Sequence, residues 1–222
     1  LQNYEKLTID IPLFKATENS IIVLAGTLAL AMPMGMLAAY SLARFKFRGN
    51  RDIAFYVLST RFLPPIAVAI PFYMIMRDLS LLDTHLGLIM MHSVVVFPFV
   101  VWMMRGFFLS IPKEIEEAAM VDGCSRLSAL VKVVLPLSAP GAATTAIFCA
   151  TLSWSEMLFA IVLTGRNAGT LPTVLLMYVG GEAKAWELIS AGAIWVVIPV
   201  LILTIMIQRY ITSALTWGAV KG

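Results

Sequence analysis

Five charge-poor runs, each about as long as a helix that crosses lipid, decide what this chain can fold into before any motif is read. They extend from about Ser20 to Leu42, Ile53 to Met76, Leu86 to Phe108, Leu137 to Leu163 and Leu188 to Gln208. A hydrocarbon core of about 30 Å takes roughly 20 helical residues to cross, and its interior leaves only helices or closed barrels with their backbone satisfied. Apolar residues are 60% of the 222 and charged ones 13%, outside the range of a soluble domain. An all-α membrane protein follows. The connections are short and polar, with no low-complexity tract, obvious repeat or long linker, so residues 1–222 read as one transmembrane domain.

The basic residues orient it, because Lys and Arg are retained in the cytoplasm during insertion. Arg44, Lys46, Arg48, Arg51, Arg105, Lys113, Arg126, Lys132, Arg209 and Lys221 fall on one side; Lys6, Lys15, Arg77, Arg166 and Lys184 fall on the other, ten against five. The net charge of +3 therefore reads as topology and not as nucleic-acid binding. Residues 1–19 and 164–187 are expected outside, with a loop at 109–136 and a tail at 209–222 in the cytoplasm. Nothing in residues 1–19 resembles a signal peptide, so a further span ahead of Leu1, making six, is the simplest way to place them there. Cys124 sits in a cytoplasmic loop and Cys149 inside a run, which suggests neither a disulfide nor a thiolate metal site. His85 and His92 lack a third metal ligand. There is no P-loop, His-Glu-x-x-His or Gly-x-Ser-x-Gly, so the chain is not expected to be an enzyme or to hydrolyse ATP itself.

The third connection carries the chemistry. Pro112 suits the first turn of a helix, Glu114, Glu116 and Glu117 complement its positive end, and Gly123 stops it. A helix over Pro112–Asp122 is about 16 Å long and places Ile115, Ala118, Ala119 and Asp122 on one shallow face. The alanines allow a partner to approach closely, while Glu117 offers it a carboxylate. An interfacial helix lying on headgroups would present large apolar residues and a basic face instead. Leu135-Pro136 marks re-entry into the bilayer.

Glu117-Ala118-Ala119, then Gly123, then Val133 with Leu135-Pro136, resembles the EAA loop of binding-protein-dependent ABC importers, with Val133 where the family pattern has Ile. The stretch Ala38–Gly49, Arg105-Gly106-Phe107-Phe108 with Ile111-Pro112, and Trp154-Ser155-Glu156 are similar to carbohydrate-class permeases. The nearest pattern is the smaller permease of maltose-type systems, whose tail is similar to Gly218-Ala219-Val220-Lys221-Gly222. The resemblance implies a type I ABC importer transmembrane domain in a bacterial inner membrane. It implies a second permease subunit, an ABC ATPase dimer holding ATP and magnesium, and a periplasmic or lipid-anchored solute-binding protein, with membrane lipid around them. The docking residues it implies are Glu117, Ala118, Ala119, Asp122, Gly123, Leu135 and Pro136, with the tail reaching the ATPases. The cargo would be a sugar or sugar-like solute.

Two ionisable residues lie inside runs, where charge is costly unless it faces protein or water. Arg61 is placed near the inner third of its run, either held by carbonyls freed at Pro64-Pro65 or lining the pathway. Glu156 is placed nearer the outer end of its own. Trp154 with Glu156 combines an aromatic face for sugar C–H groups with a carboxylate for hydroxyls, and it is equally an ordinary packing pair. Ser155 stands where many relatives have Asn. The outer loop Gly165–Glu187, with Arg166, Asn167, Ala168 and Gly169, resembles one that enters the receptor's sugar site. Alternatives are the same machine with phosphate, peptide or a compatible solute as cargo, an ion-coupled transporter, and an intramembrane enzyme.

Overall fold

The computed structural model describes residues 4–5, 7–8, 12–179 and 186–218, with the backbone alone in 177–179, 186–189 and 207–218. Among the described residues every regular element is helical: α1 (Leu13–Arg44), α2 (Asn50–Ser59), a short turn of tighter helix (Thr60–Phe62), α3 (Pro65–Asp78) and α4 (His85–Ser110). Then come α5 (Lys113–Val121), α6 (Arg126–Leu137), α7 (Ala139–Trp154), α8 (Leu158–Leu163), α9 (Leu171–Val179) and α10 (Trp186–Gly218).

The first and third apolar runs are α1 and α4, two unbroken helices long and apolar enough to span. They pack together along most of their length. Glycine makes the approach possible: a Cβ on Gly26 would lie 2.4 Å from Ile89 Cδ1, and one on Gly35 would lie 2.5 Å from Val100 Cγ1. Small residues at helix crossings serve this purpose where lipid supplies no hydrophobic drive. α1 starts at Leu13, ahead of the expected Ser20, because Leu13 and Ala16 are buried with Trp154, Leu171 and Leu175. The sequence pattern places that turn in the polar outer segment.

The second and fourth runs are not single straight helices. Residues 50–62 and Pro65–Asp78 meet at 95° across Leu63 and Pro64. Pro64 and Pro65 lack the N–H groups that would have continued the helix, and Pro64 is extended at ψ 123°. The fourth run is interrupted at residues 155–157 between α7 and α8, and α6 meets α7 at 78°. The fifth run lies within α10, of which Ser190–Met206 is an apolar stretch. The expected outer loop 164–187 is not irregular throughout, since α9 occupies Leu171–Val179.

The first and third connections meet at one end of the bundle. Beneath them a core of Ala39, Tyr40 and Ala43 from α1, Val100, Met104 and Phe108 from α4, and Leu130 and Val134 from α6 seals the base. At the other end, the turn before α4 meets the segment after α8, with Leu88, Met91, Phe159 and Leu163 packed below it.

Candidate functional site

α5 is nine residues long, with Pro112 as its N-terminal flank and Asp122 as its C-terminal one. Its end is closed by two backbone bonds: Cys124 N–H donates to the Ala119 carbonyl at 3.0 Å and Gly123 N–H to that of Met120 at 3.1 Å. This is the Schellman arrangement, which requires a left-handed residue, and Gly123 has φ 94°. Ser125 starts the next helix by accepting from Ser128 N–H.

Which face α5 offers is decided by Glu116. Its carboxylate accepts from Arg44 Nε at 2.7 Å and from the Tyr40 hydroxyl, and the Arg44 and Glu116 side chains are each 4% exposed. Arg44 Nη2 also donates to the Ile111 carbonyl at 3.1 Å. Tyr40 in turn stacks edge-on against Phe45 and Phe108. At 100° per residue, Met120 and Ala119 follow Glu116 inward, and both are half-buried. The opposite side is open: Glu114, Ile115, Glu117, Ala118 and Asp122 are exposed, and Val121 is 87% exposed. The expected face of Ile115, Ala118, Ala119 and Asp122 is therefore turned toward Ala118 and Val121, with Ala119 partly inside. Leu127, exposed on α6, adds an apolar group nearby in sequence. Leu135 is half-buried and Pro136 exposed at the end of α6.

The sequence gives Glu116 no role beyond the helix dipole, Arg44 none beyond the charge bias, and no sign that Tyr40 and Arg44 meet Glu116. The one available signal was an excess of carboxylate: three glutamates in four positions are more than a helix dipole needs. Gly218 closes α10, and Ala219, Val220, Lys221 and Gly222 lie outside the described residues.

At mid-depth, Arg61 is exposed and its Nη1 donates to the Val95 carbonyl of α4 at 2.9 Å, not to carbonyls at its own proline break. Glu156 uses its carboxylate to cap α8, accepting from Leu158 N–H at 3.1 Å and from Phe159 N–H. That capping explains a break with no Gly or Pro in it. His92 approaches Glu156 at 3.4 Å through Nε2, while its Nδ1 lies 2.9 Å from Ser153 Oγ. The 3.4 Å approach lacks hydrogen-bond alignment, and His92 Nε2 makes no hydrogen bond. Val95 and His92 are three residues apart, about 4.5 Å of rise, so the side chains of Arg61 and Glu156 reach α4 within about one turn of each other. Trp154 is buried, and its Nε1 donates to the Val196 carbonyl at 3.2 Å. Ser155 is exposed. A cleft of about 560 Å³ opens beside the α2–α3 bend, lined by apolar groups including Met34, Tyr56, Phe72, Met90 and Phe97. Arg61, Trp154, Ser155 and Glu156 do not line it.

At the far end the segment Gly165–Gly169 is wrapped around Asp83. The carboxylate accepts from the N–H groups of Gly165 at 2.9 Å and Ala168 at 3.0 Å, from Asn167 N–H, and from the Asn167 side-chain amide at 3.0 Å. Asn19 Nδ2 donates to the carbonyls of Asn167 and Gly169, its Oδ1 meets His85, and Ser20 Oγ accepts from Leu171 N–H. Arg166 stays exposed. His85 and His92 thus have separate partners, Asn19 at the outer end and Ser153 at mid-depth.

Burial raises the Asp83 carboxyl, but the backbone donors of Ala168, Gly165 and Asn167 outweigh it and hold the group below the usual carboxylate value. A depressed folded value stabilises the protein above the ordinary carboxylate range, and that contribution is lost as pH falls through the folded value, which lies below that range. At neutral pH the clamp is complete. Asp83→Asn is expected to raise the rate of tryptic cleavage at Arg166 severalfold at pH 7, and an unchanged rate would show that the carboxylate does not hold the segment.

Residues 31–217 match the family described as binding-protein-dependent transport system inner membrane components. The chain is 37% identical over 223 residues to the sulfoquinovosyl glycerol transport system permease protein SmoH of Agrobacterium fabrum, covering 100% of this chain and 78% of that one. It is 31% identical over 226 residues to the trehalose/maltose transport system permease protein MalG of Thermococcus litoralis, covering 100% and 81%. Its fold is similar to a chain in the crystal structure of a bacterial ABC transporter that imports the acidic polysaccharide alginate. There the TM-score is 0.79 at 28% identity, over 94% of this chain and 78% of that one.

Proposed function

The chain belongs to the binding-protein-dependent transport system inner membrane components, and from that premise we propose that it forms half of the translocation pathway of an ATP-driven importer for a sugar or sugar-like solute. The observation that carries the proposal is α5, a short acidic helix bolted to the bundle by Glu116 with its alanine-bearing side left open. Glu117, Ala118 and Asp122 form the surface on which a separate ATPase subunit seats, Ala119 lies at its edge, and Val121 adds an apolar contact. Gly123 fixes the end of the helix, while Leu135 and Pro136 end α6 where it turns toward the bilayer. The tail from Gly218 to Gly222 reaches the same ATPases. ATP and magnesium belong to those partners, and this chain supplies the movement.

A second permease subunit supplies the other half of the pathway. Irregular backbone at membrane depth is tolerated only inside protein or beside water. Beside two such breaks, at residues 63–64 and 155–157, the side chains of Arg61 and Glu156 reach one turn of α4, at Val95 and His92. Arg61, Ser155 and Glu156 are assigned to that level of the pathway, with Trp154 as packing behind them. A receptor outside delivers the solute to the end that carries Arg166, Asn167, Ala168 and Gly169.

The test is purification of the whole complex from the membrane, followed by phosphate-release assays with the receptor and a panel of neutral sugars, acidic sugars, phosphate, a dipeptide and a compatible solute. Co-purifying ATPase and stimulation by a receptor loaded with a sugar are expected. Stimulation by a non-sugar alone would correct the cargo. Uptake by the purified chain in liposomes without any ATPase would remove the reading altogether.

A further inference from the structure

α1 and α4 touch both ends of the machine. At the outer end, Asn19 and Ser20 of α1 and Asp83, just before α4, hold residues 165–171 through backbone groups on each side of the loop. At the inner end, Tyr40 and Arg44 of α1 grip Glu116, and α4 runs into α5 through Ile111, whose carbonyl Arg44 also takes. Between these fasteners the two helices are locked by the approaches of Gly26 to Ile89 and Gly35 to Val100. Of the other runs, the second is bent by 95° and the fourth is interrupted at residues 155–157, so neither forms one straight element across the same distance, while the fifth lies in α10, which none of these fasteners joins. The span from Asn19 to Tyr40 is about 32 Å of helix.

We propose that α1 and α4 act as one beam that couples the receptor-side loop to the ATPase-docking helix, with Asn19, Ser20 and Asp83 as its outer fasteners and Tyr40, Arg44 and Glu116 as its inner ones. The proposal rests on the importer reading above. A close-packed pair moves as a unit because interdigitated side chains have few alternative arrangements. Hydrogen-bonded polar groups at its ends are directional, so they transmit displacement where apolar contacts would slide. Coupling of this kind is reciprocal in binding: receptor docking changes the affinity for nucleotide, and nucleotide changes receptor affinity by the same factor. Glu116 points away from the docking surface, so its role is to position α5, not to contact the ATPase.

A beam works in series, which makes the claim testable. In the full complex in lipid nanodiscs, receptor-stimulated and basal phosphate release are measured with the sugar that stimulates best in the panel above. The complexes compared are unmodified, Glu116→Gln, Asn19→Leu and the double variant, with Ser20→Ala as a milder outer cut and Tyr40→Phe as a milder inner one should Asn19→Leu or Glu116→Gln reduce assembly. Each single variant is expected to lose most of the receptor stimulation while basal release and co-purification of the ATPase persist. The double variant is expected to be no worse than the weaker single one, because a beam already cut at one end transmits nothing further. Receptor affinity measured with and without a non-hydrolysable ATP analogue loses its difference in the same variants. Full stimulation in the single variants, or losses that multiply in the double, would overturn the beam and leave the importer reading intact. An unmodified complex that no receptor stimulates would overturn both.

Discussion

Replacing Arg44 with Met is expected to cost about 3–5 kcal/mol of stability, since it strands the Glu116 carboxylate in a site where both partners are 4% exposed. Only the Tyr40 hydroxyl would remain for it. Replacing both members of such a pair with apolar groups of similar volume is far cheaper than removing one. Arg44→Met with Glu116→Leu should therefore recover most of the loss, and a double-mutant cycle on thermal unfolding of the purified complex reads the coupling directly. If Arg44→Met alone cost under about 1 kcal/mol, the pair would have to be solvated like a surface ion pair. Arg44→Lys keeps the charge but loses the fork that reaches Glu116 and the Ile111 carbonyl together, so an intermediate cost is expected.

The largest functional effect is expected at the end of the docking helix. Gly123 has φ 94°, and a Cβ there would meet nothing within 4 Å, so the constraint is conformational and not steric. Gly123→Asp forces a side chain into a region that costs roughly 1–2 kcal/mol and puts the Ala119 and Met120 carbonyl bonds at risk. It also adds a second carboxylate beside Asp122. Uptake in proteoliposomes is expected to fall at least about tenfold, the equivalent of 1.4 kcal/mol, with membrane insertion unchanged. Gly123→Asn, which tolerates the left-handed region better, should retain most of it. Glu117→Lys reverses a charge on the open face and should abolish uptake by a separate route, with loss of ATPase co-purification. Normal uptake in both Gly123→Asp and Glu117→Lys would falsify the docking assignment.

Parts of the architecture were legible because their causes are local. Runs of apolar residues specify membrane helices, Pro64-Pro65 specifies a break, and Gly123 specifies a stop. Each acts through backbone geometry or solvation within a few residues. The break at residues 155–157 was not legible, because it depends on the Glu156 carboxylate turning onto Leu158 and Phe159 N–H groups with His92 behind it. A glutamate within an apolar run reads equally well as a pathway residue. The start of α1 was missed for the same kind of reason: Lys15, Thr17, Glu18 and Asn19 look like a solvated segment. Asn19 is nevertheless 5% exposed, with its amide spent on carbonyls near residue 169.

The loop at Gly165–Gly169 shows how position changes meaning. In sequence it resembles a loop that reaches into a receptor's sugar site. In the fold, four N–H groups of that segment converge on Asp83, leaving Arg166 as an exposed side chain at its tip. Deleting Asn167–Gly169 would remove the clamp and the loop together, so Arg166→Ala is the sharper probe of receptor contact.

Taken alone, the order of residues determined that this chain is a helical membrane domain, which end is rich in positive charge, and that an acidic alanine helix interrupts it, since hydropathy, charge and helix termination are properties of short segments. The tertiary structure decided which side of that helix is free, because the Arg44–Glu116 pair joins residues 72 apart. It also decided where the outer loop rests, because Asp83 and Gly165 are 82 apart. No local pattern encodes such pairings: each side chain's partner is chosen by the packing of α1 on α4, and a buried charge takes whatever donor that packing brings within reach.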